Sequence, residues 1–179
     1  NYKILKNIKA FKRIKFVNIG KIHNTKINNY SILSNKQNFC ILAPEGILDQ
    51  AINMLDFVNK INFNTNIIFL LRLHPDLFKK REVFVDYIKK NQNKYFRIRL
   101  SEGKLVDDLK KAKFGLYSGS SMVFTFMQNN IYPIFLETSI SSDEINPIEI
   151  INNVSYKKIN KPYQLKKIFE EKINIKDLK

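Results

Sequence analysis

The residues best suited to chemistry in this sequence fall in five short polar clusters, each directly behind an apolar run. They are Ala43-Pro44-Glu45-Gly46, His74-Pro75, Ser101-Glu102-Gly103, Ser118-Gly119-Ser120-Ser121 and Glu137-Thr138-Ser139. The fourth is the sharpest. Hydroxyls and backbone N–H groups at a helix start make an anion cradle, and Gly119 lets the chain approach a phosphate closely; the same serines would also serve as a plain helix cap. His74 precedes a proline, which holds it extended at a strand end. Its imidazole can donate to a phosphate oxygen, or be a hydrogen-bonded structural residue and no more. Glu45, beside Gly46, can accept from a ribose or substrate hydroxyl, act as a base, or simply complement a helix dipole. Asp107 and Asp108 read as a solvated helix face, His23 as exposed, and Cys40 as buried strand filling.

Other chemistries find less support. The sequence has two histidines and one cysteine, with no carboxylate cluster at ligand spacing, so a metal site is not expected. The first strand-to-helix turn lacks GxGxxG, which disfavours NAD and FAD. No cofactor is expected.

These clusters need strands and helices to position them. Asn38 to Ala43 reads as a buried strand. Leu48, Ala51, Ile52, Leu55 and Val58 then repeat at helical spacing through about Lys60. Ile67 to Leu73 is a second strand, followed by a helix from about Asp76 to Lys90 with Leu77, Phe84 and Ile88 inward. Tyr95 to Leu100 is a third strand, Leu105 to Ala112 a short helix, and Lys113 to Tyr117 a fourth strand. A helix begins near Ser120, a fifth strand covers Tyr132 to Leu136, and a closing helix runs from about Pro162 to Lys172. A short strand near Val154 to Tyr156 precedes it. Strands apolar on both faces and separated by helices predict an α/β, doubly wound, mainly parallel, Rossmann-like sheet. Ligands of such sheets lie beyond the carboxyl ends of the strands, where all five polar clusters fall.

Residues 1–37 form a separate basic segment ahead of this domain, which spans 38–179. Lys3, Lys6, Lys9, Lys12 and Lys15 recur at period three, opposite Ile4, Leu5, Ile8 and Phe11, as in a basic amphipathic helix. Lys15 to Ile19 reads as a possible further strand. The formal net charge is +15. Residues 1–40 carry nine basic residues and no acid, 41–150 carry fourteen against thirteen, and 151–179 carry eight against three. Lysine outnumbers arginine 26 to 5, and no arginine-aromatic interleaving marks a nucleic-acid interface, so nucleic acid is disfavoured as a partner. The basic helix is an ordinary solvated lysine face whose apolar stripe packs on this same domain, or it docks on an anionic membrane surface or a partner domain. The lone cysteine excludes an internal disulfide and favours a reducing compartment. The longest apolar run, Ile67 to Leu71, is too short to span a membrane. A cytoplasmic protein, peripheral at the inner face of the membrane, is the expectation.

The ordered set of strand-PEG, RLHP, the acidic helix VDDL and YSGSS followed by MVFTFMQNNIYPIFL resembles the C-terminal, donor-binding half of GT-B glycosyltransferases of bacterial surface polysaccharide synthesis. Its nearest likenesses are sialyltransferases and polysialyltransferases, Kdo transferases and CDP-glycerol glycerophosphotransferases. The resemblance covers about residues 38–137. It implies a nucleotide-sugar donor, CMP- or CDP-linked, bound without metal. It places phosphate binding on His74, Ser120 and Ser121, with Pro75, Gly46, Ser118 and Gly119 adjacent, and catalytic roles on His74 and Glu45. A whole GT-B enzyme has two Rossmann-like domains, so the resemblance also implies an acceptor-binding N-terminal domain as partner, without which this chain would be inactive. The alternative is a non-catalytic α/β interaction module that docks on a membrane or partner through its basic N-terminal helix.

Overall fold

The computed structural model describes residues 38–61, 67–91, 98–138, 146–150 and 156–170. The basic helix, the Lys15 to Ile19 strand, His23 and Ser139 lie outside the described residues. The described residues form six strands and five α-helices: β1 (Phe39–Ala43), α1 (Leu48–Asn59), β2 (Ile68–Leu71), α2 (Arg81–Asn91), β3 (Ile98–Leu100), α3 (Leu105–Lys111), β4 (Ala112–Tyr117), α4 (Met122–Gln128), β5 (Tyr132–Leu136), β6 (Lys157–Ile159) and α5 (Pro162–Glu170). The strands form one sheet in the order β3-β2-β1-β4-β5-β6, and every pair is parallel. This is the doubly wound, Rossmann-like architecture expected. The chain first winds outward from β1 to β3, then crosses back to β4 beside β1. The β1/β4 boundary is therefore the topological switch point.

Two-residue alternation along β1, β2, β4 and β5 feeds two cores, while the edge strands β3 and β6 contribute to one. On one face Cys40, Leu42, Phe69, Leu71, Phe114, Leu116 and Ile134 pack against α1, α2 and α5. On the other, Phe39, Ile41, Ala43, Leu70, Tyr117 and Phe135 pack against α3 and α4. Both faces are apolar because both are covered, the reason the four inner strands read as nearly continuous hydrophobic runs.

Two local departures bear on the site. The segment after β2 opens as a 3-10 helix, Pro75–Lys80, before α2 begins at Arg81. Pro75 holds His74 extended at φ −63° and ψ 146°, and the imidazole then caps the turn. The helix after β4 starts at Met122, two residues later than Ser120, and has only two turns. It ends in a Schellman motif: the Asn130 N–H donates to Met127 O and the Ile131 N–H to Phe126 O, with Asn130 left-handed at φ 53°. Ile131 and Phe126 are both fully buried in one core, the apolar contact that accompanies this motif. Strand β6 covers Lys157–Ile159, directly after Tyr156; Val154 and Ser155 of the expected short strand lie outside the described residues.

Candidate functional site

The switch point is assembled from three neighbouring strand tips. Ala43 pairs with Tyr117 across β1/β4, and the Arg72 N–H donates to Leu42 O across β1/β2. The loop leaving β1, Pro44-Glu45-Gly46, therefore runs between the tip of β2 and the tip of β4. Two glycines let it fit. A Cβ on Gly46 would stand 2.9 Å from His74 Nδ1 and 3.0 Å from Asp76 Oδ2. A Cβ on Gly119 would coincide with the carboxylate of Glu45, and Gly119 itself is left-handed at φ +62°. Gly46 thus brings β1 against the histidine, and Gly119 lets the glutamate lie on the loop after β4. Gly46 lies against His74 and Glu45 against Gly119; β2 and β4 are separated by one strand, roughly 10 Å.

The chemistry of His74 follows from its partners. Nδ1 accepts from the Asp76 backbone N–H at 3.3 Å, which requires its lone pair and leaves the proton on Nε2. Nδ1 also lies 3.3 Å from Asp76 Oδ2, and the side chain is 42% exposed. The Nε2–H is thus available to donate toward a ligand oxygen.

The Ser118 to Ser121 stretch divides into distinct roles. Ser118 is 1% exposed and its Oγ has no hydrogen-bond partner. The Ser120 Oγ accepts from the Met122 N–H at 3.3 Å, so it caps the short helix and retains its own proton to donate. Ser121 is exposed and makes no side-chain cap bond. Pro44 is buried and Pro75 exposed.

The other two expected tips are engaged elsewhere. Ser101 Oγ and Arg72 Nη1 both donate to Asp108 Oδ2, the latter at 3.0 Å, while Arg72 also reaches Ser101 Oγ at 3.1 Å and Gly103 O at 2.7 Å. Glu102 is paired with Arg81. Glu137 pairs with Lys158 at 2.7 Å across β5/β6, which raises the pKa of Lys158. Asp108 is thereby corrected: it is a buried anchor, 7% exposed, and not part of a solvated face. It points inward because Leu109 on the same turn packs on the sheet while Arg72 offers it a cation at the strand tip. Asp107 is exposed as expected. Cys40 is fully buried, which pushes its thiol pKa up and makes it inert.

Two residues with no expected role stand out. Gln50, in the first turn of α1, is 6% exposed with Oε1 buried and unpartnered. Asn146 is 2% exposed; its Oδ1 accepts from the Tyr117 hydroxyl at 2.9 Å and the Ile148 N–H at 3.2 Å, while Nδ2 is buried and unpartnered. Burial, then the neighbouring Tyr156, raises the Tyr117 pKa, so that phenol stays a donor. The inward face of α1 is Gln50, Ala51, Met54, Leu55 and Val58, rotated from the Leu48/Ile52 stripe. Extending the stripe by i, i+4 from Val58 through Met54 would have reached Gln50.

Among the described residues no helix is long and apolar enough to cross a membrane, and no group of three or more His, Cys, Asp or Glu is gathered at a metal-binding spacing. Comparison with protein-family models, with curated proteins and with solved structures found no match.

Proposed function

We propose that this chain is the donor-binding domain of a metal-independent glycosyltransferase that builds bacterial surface polysaccharide from a nucleotide-sugar, with a cytidine nucleotide as carrier. The observation that carries the reading is the meeting of Glu45-Gly46 with His74 on one side and Gly119 on the other, at the β1/β4 switch point of a doubly wound sheet. That is where such sheets hold nucleotides. His74 Nε2–H and the hydroxyls of Ser120 and Ser121 donate to the donor's phosphates. Fixed donors aimed at a departing phosphate stabilise the charge that develops on it, the role a metal ion would otherwise fill. Glu45 accepts from a hydroxyl of the bound substrate. An acceptor-binding domain completes the enzyme, and the basic segment 1–37 holds it at the cytoplasmic face of the membrane.

Equilibrium titration with CMP, CDP, UDP, GDP and ADP tests the reading. Saturable binding, tightest for a cytidine nucleotide and weakened by His74→Ala in a folded protein, is expected. Absence of binding by all five would refute it. The concentration of nine basic residues without an acid in residues 1–40 favours a second reading, an interaction module. That reading predicts salt-sensitive binding to anionic liposomes together with indifference to nucleotides.

A further inference from the structure

The steepest excess of positive charge among the described residues lies away from the candidate site. From Tyr156 to Glu170, the span of β6 and α5, five lysines stand against one acid, whereas residues 38–61 carry one lysine against three acids. A general preference for lysine would spread evenly, and this excess does not. Helical geometry sorts the span. At about 100° per residue Leu165, Ile168 and Phe169 fall on one side of α5 and pack in the core. Tyr163, Lys166, Lys167 and Glu170, at i, i+3, i+4 and i+7, form the opposite stripe. At 63%, Tyr163 is the most exposed of the large hydrophobic side chains among the described residues. Lys161 joins the stripe from the turn before the helix, and that turn is fixed. Gln164 Oε1 accepts from the N–H groups of Asn160 and Lys161, both at 2.9 Å, and Pro162 opens the first helical turn. Glu170 pairs with Lys166 at 3.8 Å. Among the described residues Lys161 and Lys167 have no acidic partner.

An exposed aromatic ring among ammonium groups matches a surface that is anionic with an apolar layer beneath it. A bilayer is such a surface: tyrosine settles at headgroup depth, while lysine stems lie along the interface and carry their charge to lipid phosphates. Nucleic acid fits less well. All five basic residues of the span are lysines, so the forked guanidinium that grips phosphates and bases is missing, and the outward stripe of a helix is convex where a strand would need a groove. We propose that the outer face of α5, with Lys161, docks on a bilayer containing anionic lipid. The contact belongs to the folded domain, and it requires neither nucleotide binding nor residues 1–37.

The chain has no tryptophan, so Tyr163→Trp in the full chain puts a single reporter on the stripe. Vesicles of equimolar phosphatidylcholine and phosphatidylserine should move its emission to the blue and bring it under quenching by brominated acyl chains. Vesicles of phosphatidylcholine alone should do neither. In sedimentation with the mixed vesicles, replacing Lys161, Lys166 and Lys167 together by glutamine should weaken binding about a hundredfold, at about fivefold per lysine. Replacing Lys79, Lys80 and Lys90 removes the same charge from another surface and should weaken it by less than about threefold. Raising the salt should release the wild-type chain. Binding to the mixed vesicles with the reporter's emission unmoved, equal losses in the two triple variants, or no vesicle binding at all would overturn the assignment. So would saturable oligonucleotide binding that the Lys161, Lys166 and Lys167 replacements abolish while the vesicles give no response, which would hand this face to nucleic acid. Nucleotide titration decides the donor reading separately, so either can fail alone.

Discussion

Replacing Gly119 by alanine probes two features of the switch point at once. At φ +62° an L-residue is strained by about 1–2 kcal/mol relative to glycine. The added Cβ also falls where the Glu45 carboxylate lies, so the glutamate must leave. Residues in contact couple by about 0.5–3 kcal/mol, which sets the second contribution near 1 kcal/mol for displacing a half-buried carboxylate. Gly119→Ala should therefore cost about 2–3 kcal/mol in the wild-type background. In a Glu45→Ala background only the backbone part, about 1–2 kcal/mol, should remain. Urea denaturation of the four proteins, read at constant m-value, gives both numbers. Equal costs in the two backgrounds would show that Glu45 does not lie on Gly119, and the site geometry would be wrong. A cost near zero in both would deny the left-handed turn itself.

Further outcomes follow from the packing. Gly115→Ala drives a methyl into the Phe126 ring and should destabilise by about 1–3 kcal/mol, with Phe126→Leu restoring part of the loss; unfolding midpoints of the single and double variants decide it. Asp108→Ala leaves Arg72 and Ser101 without their shared acceptor. Because the Arg72 side chain is 24% exposed, water relieves part of the penalty, and denaturation should show a loss of about 2 kcal/mol; a change under 0.5 kcal/mol would deny the anchor. Burial raises the Tyr117 pKa above its ordinary 10.0, so its contribution to stability is complete below pH 10 and lost as the pH rises beyond it. Tyr117→Phe should accordingly flatten the decline in urea stability measured between pH 9 and pH 11; an unchanged slope would contradict this. Cys40 should react with a thiol reagent only on unfolding, and a native rate matching that of the denatured chain would contradict its burial.

The fold was legible because the covered, parallel sheet leaves a plain trace: four runs apolar on both faces, at β1, β2, β4 and β5, with helical periodicity between them. What periodicity could not supply was the direction of single side chains. Asp107 and Asp108 are adjacent acids on one short helix, yet only Asp108 turns inward, because Arg72 waits at the tip of a strand 36 residues earlier. Gln50 is hidden for a similar reason: one polar residue in an amphipathic helix reads as surface until the neighbouring strands fix the rotation of the helix. Of the candidate site, the positions of its residues along the chain were legible. His74, Glu45-Gly46 and Gly119 were all expected at strand ends, and strand order brings those three ends side by side. Ser101 and Glu137 were expected on the same rim, but their engagement with Arg72, Asp108 and Lys158 depends on nonlocal pairs that no local pattern announces.

Amide chemical-shift mapping of the isotope-labelled chain during titration with CMP tests the central claim most directly. The account predicts that Glu45, Gly46, Gln50, His74 and Ser118 to Ser121 shift together along one saturable curve while the amides of α5 stay still. Shifts scattered over lysine-rich surfaces, or confined to residues away from the β1/β4 tips, would contradict it.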